Sequence, residues 1–274
     1  MTFKKGLAAI ILATATLAAC GSEKEEETVE EQVVEEIDLS SEAEQFRAFA
    51  VEQMEAFVTD ADMLAGYVKE GKLEEAQKLY PLVRMYYERM QPMKASFAEL
   101  DADIDAPIAT GEEDKATGFR RLEYGLFNQK TTSGYEAVAE ELAANIRKLG
   151  EELPTIELDG QQLLDGTEEM LVQVKDKQLT GAEISYADSH VYEVKANAEA
   201  VEQIVKIFMS RADAEQAAVV TEKLAGLNDI LAYYEVGKED YVNYSFFTNK
   251  QKQELVDAVS DVHEALKEMN ESIE

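Results

Sequence analysis

The segment Gly118-Phe119-Arg120-Arg121-Leu122-Glu123 sets a cation and a carboxylate three residues apart. On a helix that spacing puts both side chains on one face, so Arg120 and Glu123 point the same way. A histidine at position 120 would make the pair half of a metal site. A guanidinium does something else, because it stays protonated, carries five N–H donors and has no lone pair for coordination. Arg120 neutralises Glu123, repels a nearby cation and offers a bidentate partner to an incoming carboxylate. At about 4 Å and an effective dielectric of roughly 20, like charges repel by about 4 kcal/mol, more than a single hydrogen bond returns.

The elements that must hold such a pair are helical. Phe46, Phe49, Ala50, Met54, Phe57, Val58, Ala61, Leu64 and Val68 follow the three-four spacing of a core-facing stripe, with capping residues in "DLSSEAE" before it and Gly71 as a stop. Leu73, Ala76, Leu79, Val83, Tyr86 and Met90 make a second stripe, in which Pro81 is expected to bend or restart the helix. Val138, Leu142, Ile146 and Leu149 make a third, and helices also fit 160–176, 188–210 and 213–235. Leu255, Val259, Val262, Leu266 and Met269 close the series. Sustained alternation is confined to short pieces such as "TIEL", so the reading is an all-α protein built from helix bundles. Two stretches interrupt it: "LDADIDAPIATGEED" (100–114), expected as an acidic loop, and the aromatic-rich connection "GKEDYVNYSFFTNK" (237–250). The alternating Asp101, Asp103 and Asp105 read as turn and capping chemistry or as cation ligands, without the glycine and terminal glutamate of an EF-hand loop.

Ahead of the helices, "MTFKK" is a basic n-region, "GLAAIILATATLA" an apolar h-region, and "LAAC" ends it at Cys20. Leu17-Ala18-Ala19-Cys20 looks like a bacterial lipobox, which predicts a signal peptide over 1–19, a lipid on Cys20, export, and anchoring at the extracytoplasmic face of the cell membrane. Cys20 is the one cysteine, which excludes an intrachain disulfide. Residues 20–38, acidic and without aromatics, read as a flexible tether leading to a folded part at 39–274. With 57 acidic against 26 basic residues the net charge is −31, which argues against nucleic acid, whose phosphates need Lys and Arg. No His-Glu-x-x-His or Gly-x-Ser-x-Gly occurs, and there are only two histidines, His190 and His263. Binding rather than catalysis is expected.

Several segments together resemble the imelysin-like family of exported bacterial proteins, in particular its EfeO and EfeM iron-uptake lipoproteins. They are "EGKLEEAQKLYPLVRMYYERMQP" (70–92), "FAELDADIDA" (97–106), "GFRRLEYGLF" (118–127), "KQLTGAEISYADSHVYEVKANAEA" (177–200) and "DYVNYSFFTNKQKQELVDAV" (240–259), in the family's order. The resemblance implies two four-helix bundles related by pseudo-symmetry, a metal-associated cleft between them, a His-x-x-Glu motif, and service to an iron permease and a peroxidase-like partner. The tether is expected to pass directly into helix, without the cupredoxin domain that some members carry.

This chain departs from the family's motifs. The family's "GFHRIE" is here Gly118 to Glu123 with Arg120 in the histidine's place, and "YERIEP" keeps Glu88 but has Gln91 for the second glutamate. In the "YSHTDL" stretch Asp188 replaces the histidine, and His190 stands where the family has aspartate. Asp101 and Asp105 match the acidic segment, and Glu183 part of a "TGEE" run. Three readings stay open. Glu88, Asp101, Asp105, Glu123, Glu183 and Asp188, with His190 as a nitrogen donor, would hold a hard cation such as ferric iron, calcium or manganese. Alternatively Arg120 receives an anion, such as a carboxylate-bearing iron chelate or an acidic sugar. Or Arg120 and Glu123 form a structural ion pair, and the scaffold serves a non-metal or protein partner. Glu88 has a structural alternative of its own, pairing with Arg84 or Arg89.

Overall fold

In the computed structural model, residues 37–108, 111–238 and 240–273 are described, and Ile37–Glu274 form one compact unit. The expected leader, Cys20 and nearly all of the tether lie outside the described residues. Helix α1, Ser40–Lys69, buries Phe46, Ala50, Met54, Phe57, Ala61, Leu64 and Val68 along one stripe. Its first turn has no side-chain cap from the N-cap residue Leu39; Asp38 accepts the Ser40 N–H at 3.0 Å instead. Gly71, at φ 76°, turns the chain after it.

Helix α2, Leu73–Glu88, runs continuously through Pro81, so of the two outcomes expected there the restart does not occur. Proline removes one bond to the preceding turn, but Tyr80, Val83 and Tyr87 are buried around it, and tertiary packing of that face outweighs the local loss. A second expectation is also corrected: Ala98–Asp105 is a helix, α3, following the 3₁₀ segment Gln91–Phe97. Leu100 and Ile104 lie one turn apart and are both buried, which anchors the segment as helix. Asp101 and Asp105 are likewise one turn apart, so they share a face that Asp103 does not. The helix ends where Ala106 turns extended before Pro107.

Helix α4, Gly118–Glu123, continues into a π turn at Tyr124–Asn128. Gly118 sits at φ 54°, and a Cβ there would collide with the Ile104 carbonyl, so α3 and α4 meet backbone to backbone. Helix α5, Glu136–Glu152, packs on α1, α3 and α4, and α1 also packs on α2. This first bundle therefore has a broken fourth side made of α3 and α4. The second bundle is formed by α6 (Gly160–Gln173), α7 (His190–Phe208), α8 (Ala214–Tyr233) and α9 (Asn249–Glu271), and α2 joins the halves by packing on α7. Asp159 and Asp213 cap α6 and α8 through their carboxylates, and Thr248 with Gln251 forms a capping box on α9. Among the described residues strand structure is limited to the hairpin β1 (Glu235–Gly237) and β2 (Asp240–Tyr241) between α8 and α9. The all-α, bundle-built architecture is as expected. No helix among the described residues is long and apolar enough to cross a membrane.

Gly118→Ala should destabilise the protein by roughly 2 kcal/mol, from left-handed backbone strain and the clash with α3. Urea unfolding followed by circular dichroism measures it, and an unchanged midpoint would show that α3 and α4 are not locked at this contact.

Candidate functional site

Four helices deliver charged side chains to one buried point. Helix α2 supplies Arg84 and, one turn on, Glu88; α3 supplies Asp105; α4 supplies Arg120 and Glu123; α7 supplies Glu193 from its first turn. Glu183 reaches in from the segment before α7. Arg84, Glu88, Arg120, Glu123 and Glu193 are each at most 3% exposed, while Asp105 and Glu183 keep some access to solvent.

Asp105 lies between the two guanidiniums. Arg84 donates to both of its oxygens, Nη1 to Oδ1 at 2.6 Å and Nη2 to Oδ2 at 2.9 Å, while Arg120 Nε faces Oδ1 at 3.3 Å. Arg84 Nη2 also lies 2.8 Å from Glu88 Oε1, and its Nε faces Glu193 at 3.4 Å, in ion-pair range but without hydrogen-bond geometry. Arg120 Nη1 donates to Glu123 Oε2 at 3.3 Å, and its Nη2 to Glu183. The Arg84 guanidinium stacks over the Phe119 ring at 5.5 Å. Arg84, not Arg89, pairs with Glu88; Arg89 is taken by Glu199 at 2.6 Å.

Glu123 is fully committed. Its Oε1 accepts from Ser185 Oγ and from the Tyr186 and Ala187 backbone N–H groups, each at 2.8 Å, while Oε2 accepts from Arg120. The carboxylate thus clasps residues 185–187 onto α4, a role that leaves it no oxygen facing outward.

The titration behaviour follows from crowding. Burial opposes the charge of both arginines, and Arg84 further opposes that of Arg120. For Arg84 the carboxylates Asp105, Glu88 and Glu193 overcome this, and for Arg120 Asp105, Glu123 and Glu183 do, so both stay firmly protonated. Burial likewise works against the Glu193 carboxylate, but Arg84, Arg120, His190 and the Ser189 hydroxyl (2.9 Å) hold it below the usual range. For Glu88 burial dominates; Arg84 opposes it, Glu193 and Asp105 reinforce it, and its pKa is raised. Arg84 is already shared by Asp105 and Glu193, so the third carboxyl holds its proton to higher pH than an ordinary glutamate.

A cavity of about 490 Å³ opens on this cluster, walled by Arg84, Glu88, Asp101, Asp105, Arg120 and Glu183, with Lys94 and Lys177 also lining it. Asp101 accepts from the Tyr87 hydroxyl, and burial raises its pKa against that bond. Of the residues singled out in the sequence, Glu88, Asp105, Arg120, Glu123 and Glu183 therefore converge, with Asp101 beside them. Asp188 lies elsewhere, and His190 stands at the edge of the cluster, three residues before Glu193 on α7, whose carboxylate it favours. Asp188, at φ 59°, accepts the Ser245 N–H at 2.9 Å, and the His190 ring packs 4.9 Å from that of Tyr244. Among the described residues no three of His, Cys, Asp and Glu are grouped so as to hold a metal ion. The carboxylates are arranged around guanidiniums.

Glu193 went unread in the sequence, and Arg84 entered only as a partner for Glu88. A signal for Glu193 was present: with Asn197, Ala200 and Ile204 it heads a buried stripe on α7, where a carboxylate needs a cation. Nothing in the sequence named that cation.

The family model described as Peptidase_M75: Imelysin matches residues 43–269. An Efem/EfeO family lipoprotein of Staphylococcus haemolyticus (strain JCSC1435) is 27% identical over 97% of this chain and 98% of its own length. The iron uptake system component EfeM of Pseudomonas syringae pv. syringae (strain B728a) is 27% identical over 84% of this chain and 83% of its own. An Efem/EfeO family lipoprotein of Staphylococcus aureus (strain MRSA252) is 25% identical over 85% and 84%.

Arg84→Met should cost about 3–5 kcal/mol, because it strands Asp105 and Glu193 as buried, underpaired carboxylates. Urea unfolding decides it; a loss below about 1 kcal/mol would mean that water reaches the cluster. Glu88 gives a pH signature. Its folded pKa is raised, so its contribution is present below the ordinary carboxylate range and is lost as pH rises through the raised value. Glu88→Gln keeps the neutral form, so the variant should gain on the parent as pH rises from 4.5 to about 8 and then hold that gain. Parallel curves in a denaturation series would show that Glu88 is ionised throughout.

Proposed function

The chain belongs to the imelysin family, and on that footing we propose that it serves an iron-uptake system as a lipid-anchored extracytoplasmic component that takes iron as an anionic carboxylate chelate. The names of its relatives, lipoproteins and an iron uptake system component, support the setting, as does "LAAC" at Cys20. The observation that carries the chelate reading is the pair of buried guanidiniums, Arg84 and Arg120, on the cavity wall. Each already engages carboxylates, Asp105 and Glu193 at Arg84 and Asp105, Glu123 and Glu183 at Arg120, so the wall offers a bare cation no open carboxylate set. A ferric ion wrapped in citrate-like ligands instead presents carboxylate oxygens, for which Arg and Lys are the matching partners. Lys94 and Lys177 line the same cavity and make no ion pair among the described residues, which leaves both for the ligand.

The role is binding and hand-over to an iron permease and a peroxidase-like partner, not peptide hydrolysis. Hydrolysis by zinc needs a held metal with an open position and a general base. Here Glu123 is consumed by its clasp on residues 185–187, and His190 and His263 lie outside the cavity wall.

Calorimetric titration with ferric citrate, citrate, zinc, copper, manganese and calcium tests this. Ferric citrate should bind best, and Lys94→Glu with Lys177→Glu should weaken it at least tenfold, or about 1.4 kcal/mol. Arg120→His should raise zinc and copper affinity by a similar factor, and Glu123→Ala in that background should reverse the gain. Tight zinc binding by the parent, or ferric citrate affinity indifferent to both lysines, would defeat the reading; equal affinity for iron-free citrate would make the protein an anion receptor without an iron role.

A further inference from the structure

A larger cavity, of about 660 Å³, lies on the other side of the segment that Glu123 clasps: Glu183 and Ile184 line the first cavity, Tyr186 to Ser189 this one. Two independent features set it apart. Lys78, Lys130 and Lys238 all line it, and none makes an ion pair among the described residues, in a chain where acids outnumber bases by 57 to 26. In such a chain a lysine finds a carboxylate easily, so three left without an ion pair around one hollow supply ammonium groups to a ligand, in a lining whose formal charge Glu74, Asp188 and Asp240 bring to balance.

The second feature is backbone strain. Among the described residues Lys130 (φ 53°) and Asp188 (φ 59°) are the two non-glycine residues in the left-handed region, and both line this cavity. A lysine gains nothing locally from that conformation, and strain of this kind gathers at ligand clamps, where the surroundings hold it in place. The size lies within the range of small-molecule sites.

We propose that this cavity is a second ligand site, for a phosphorylated sugar or polyol. The three ammonium groups suit a phosphate, which lysine binds as a point charge. Asp188 and Asp240 each have one oxygen taken, by the Ser245 N–H and by the Tyr192 hydroxyl (2.6 Å), and each keeps another to accept a ligand hydroxyl. Tyr186 and Tyr192 give the wall the flat apolar faces on which a sugar ring rests. A purely polyanionic ligand would meet those aspartates unfavourably, and an uncharged sugar would leave the lysines unused. Neither Arg84 nor Arg120 reaches this hollow, so the site stands whether or not the first cavity takes an iron chelate.

The test is titration of the protein, by calorimetry and by amide chemical shifts, with glucose 6-phosphate, glycerol 3-phosphate, glucose, inorganic phosphate and citrate. One of the two phosphorylated probes should bind at least tenfold more tightly than glucose, phosphate or citrate, with shifts at residues 186–192. Lys78→Ala and Lys238→Ala, both on exposed side chains that leave folding intact, should each weaken it severalfold. Lys94→Glu with Lys177→Glu, which disables the first cavity, should leave it unchanged. No binding of either phosphorylated probe, equal binding of phosphate or citrate, or affinity indifferent to Lys78 and Lys238 would overturn the assignment.

Discussion

The carboxylate of Asp105 lies between Arg84 and Arg120, and much of the first bundle is arranged so that it can. Two guanidiniums buried side by side repel each other in a medium that screens poorly, and they persist only where carboxylates stand around them with bonds to spare. Meeting that condition draws in α2, α3, α4 and α7 together. Helix α3 must be helical to carry Asp105 while Leu100 and Ile104 face the core. Helix α4 must approach α3 so closely that Gly118 has no room for a side chain. Helix α7 must bring Glu193 into a position that an apolar residue would otherwise fill.

From that centre the order spreads through Glu123. Arg120 takes one of its oxygens, and the other takes a serine hydroxyl and two backbone N–H groups, so the segment between α6 and α7 is tied to α4. That segment is the wall between two cavities. One is lined by the paired arginines, the other by lysines without ion pairs among the described residues together with Glu74, Asp188 and Asp240. In a chain of net charge −31 the bulk field draws cations to the surface, so a site for an anion has to be built from local, fixed positive groups. Burial makes the arginines fixed, because a group that cannot lose its proton or swing into water keeps its charge where the fold put it.

Much of the scaffold was legible in the chain. The stripes from Phe46 to Val68 and from Leu255 to Met269 are helices with the expected buried faces, because a 3.6-residue period is a local property that burial only confirms. Two local signals were incomplete guides. Pro81 does not restart the helix that contains it, and the acidic run 100–105 is a helix, since the two apolar residues one turn apart outweigh its three acids, two of which find Tyr87 and Arg84.

The sequence by itself determined the periodic helices, the all-α class, the acidic field, and the fact that residue 120 cannot donate a lone pair. It also put Glu88 within one turn of Arg84 and Glu123 within one turn of Arg120, as helix spacing requires. Only the tertiary structure decided that these two pairs, from different helices, share Asp105, that Glu193 completes the set, and that Asp188 does not belong to it. Long-range ion pairing depends on which helix faces meet and at what depth, and neither is encoded in the spacing of residues along one helix. Depth also shifts protonation: of the carboxyls around Arg84, Glu88 is the one whose pKa burial raises, against the pull of Arg84.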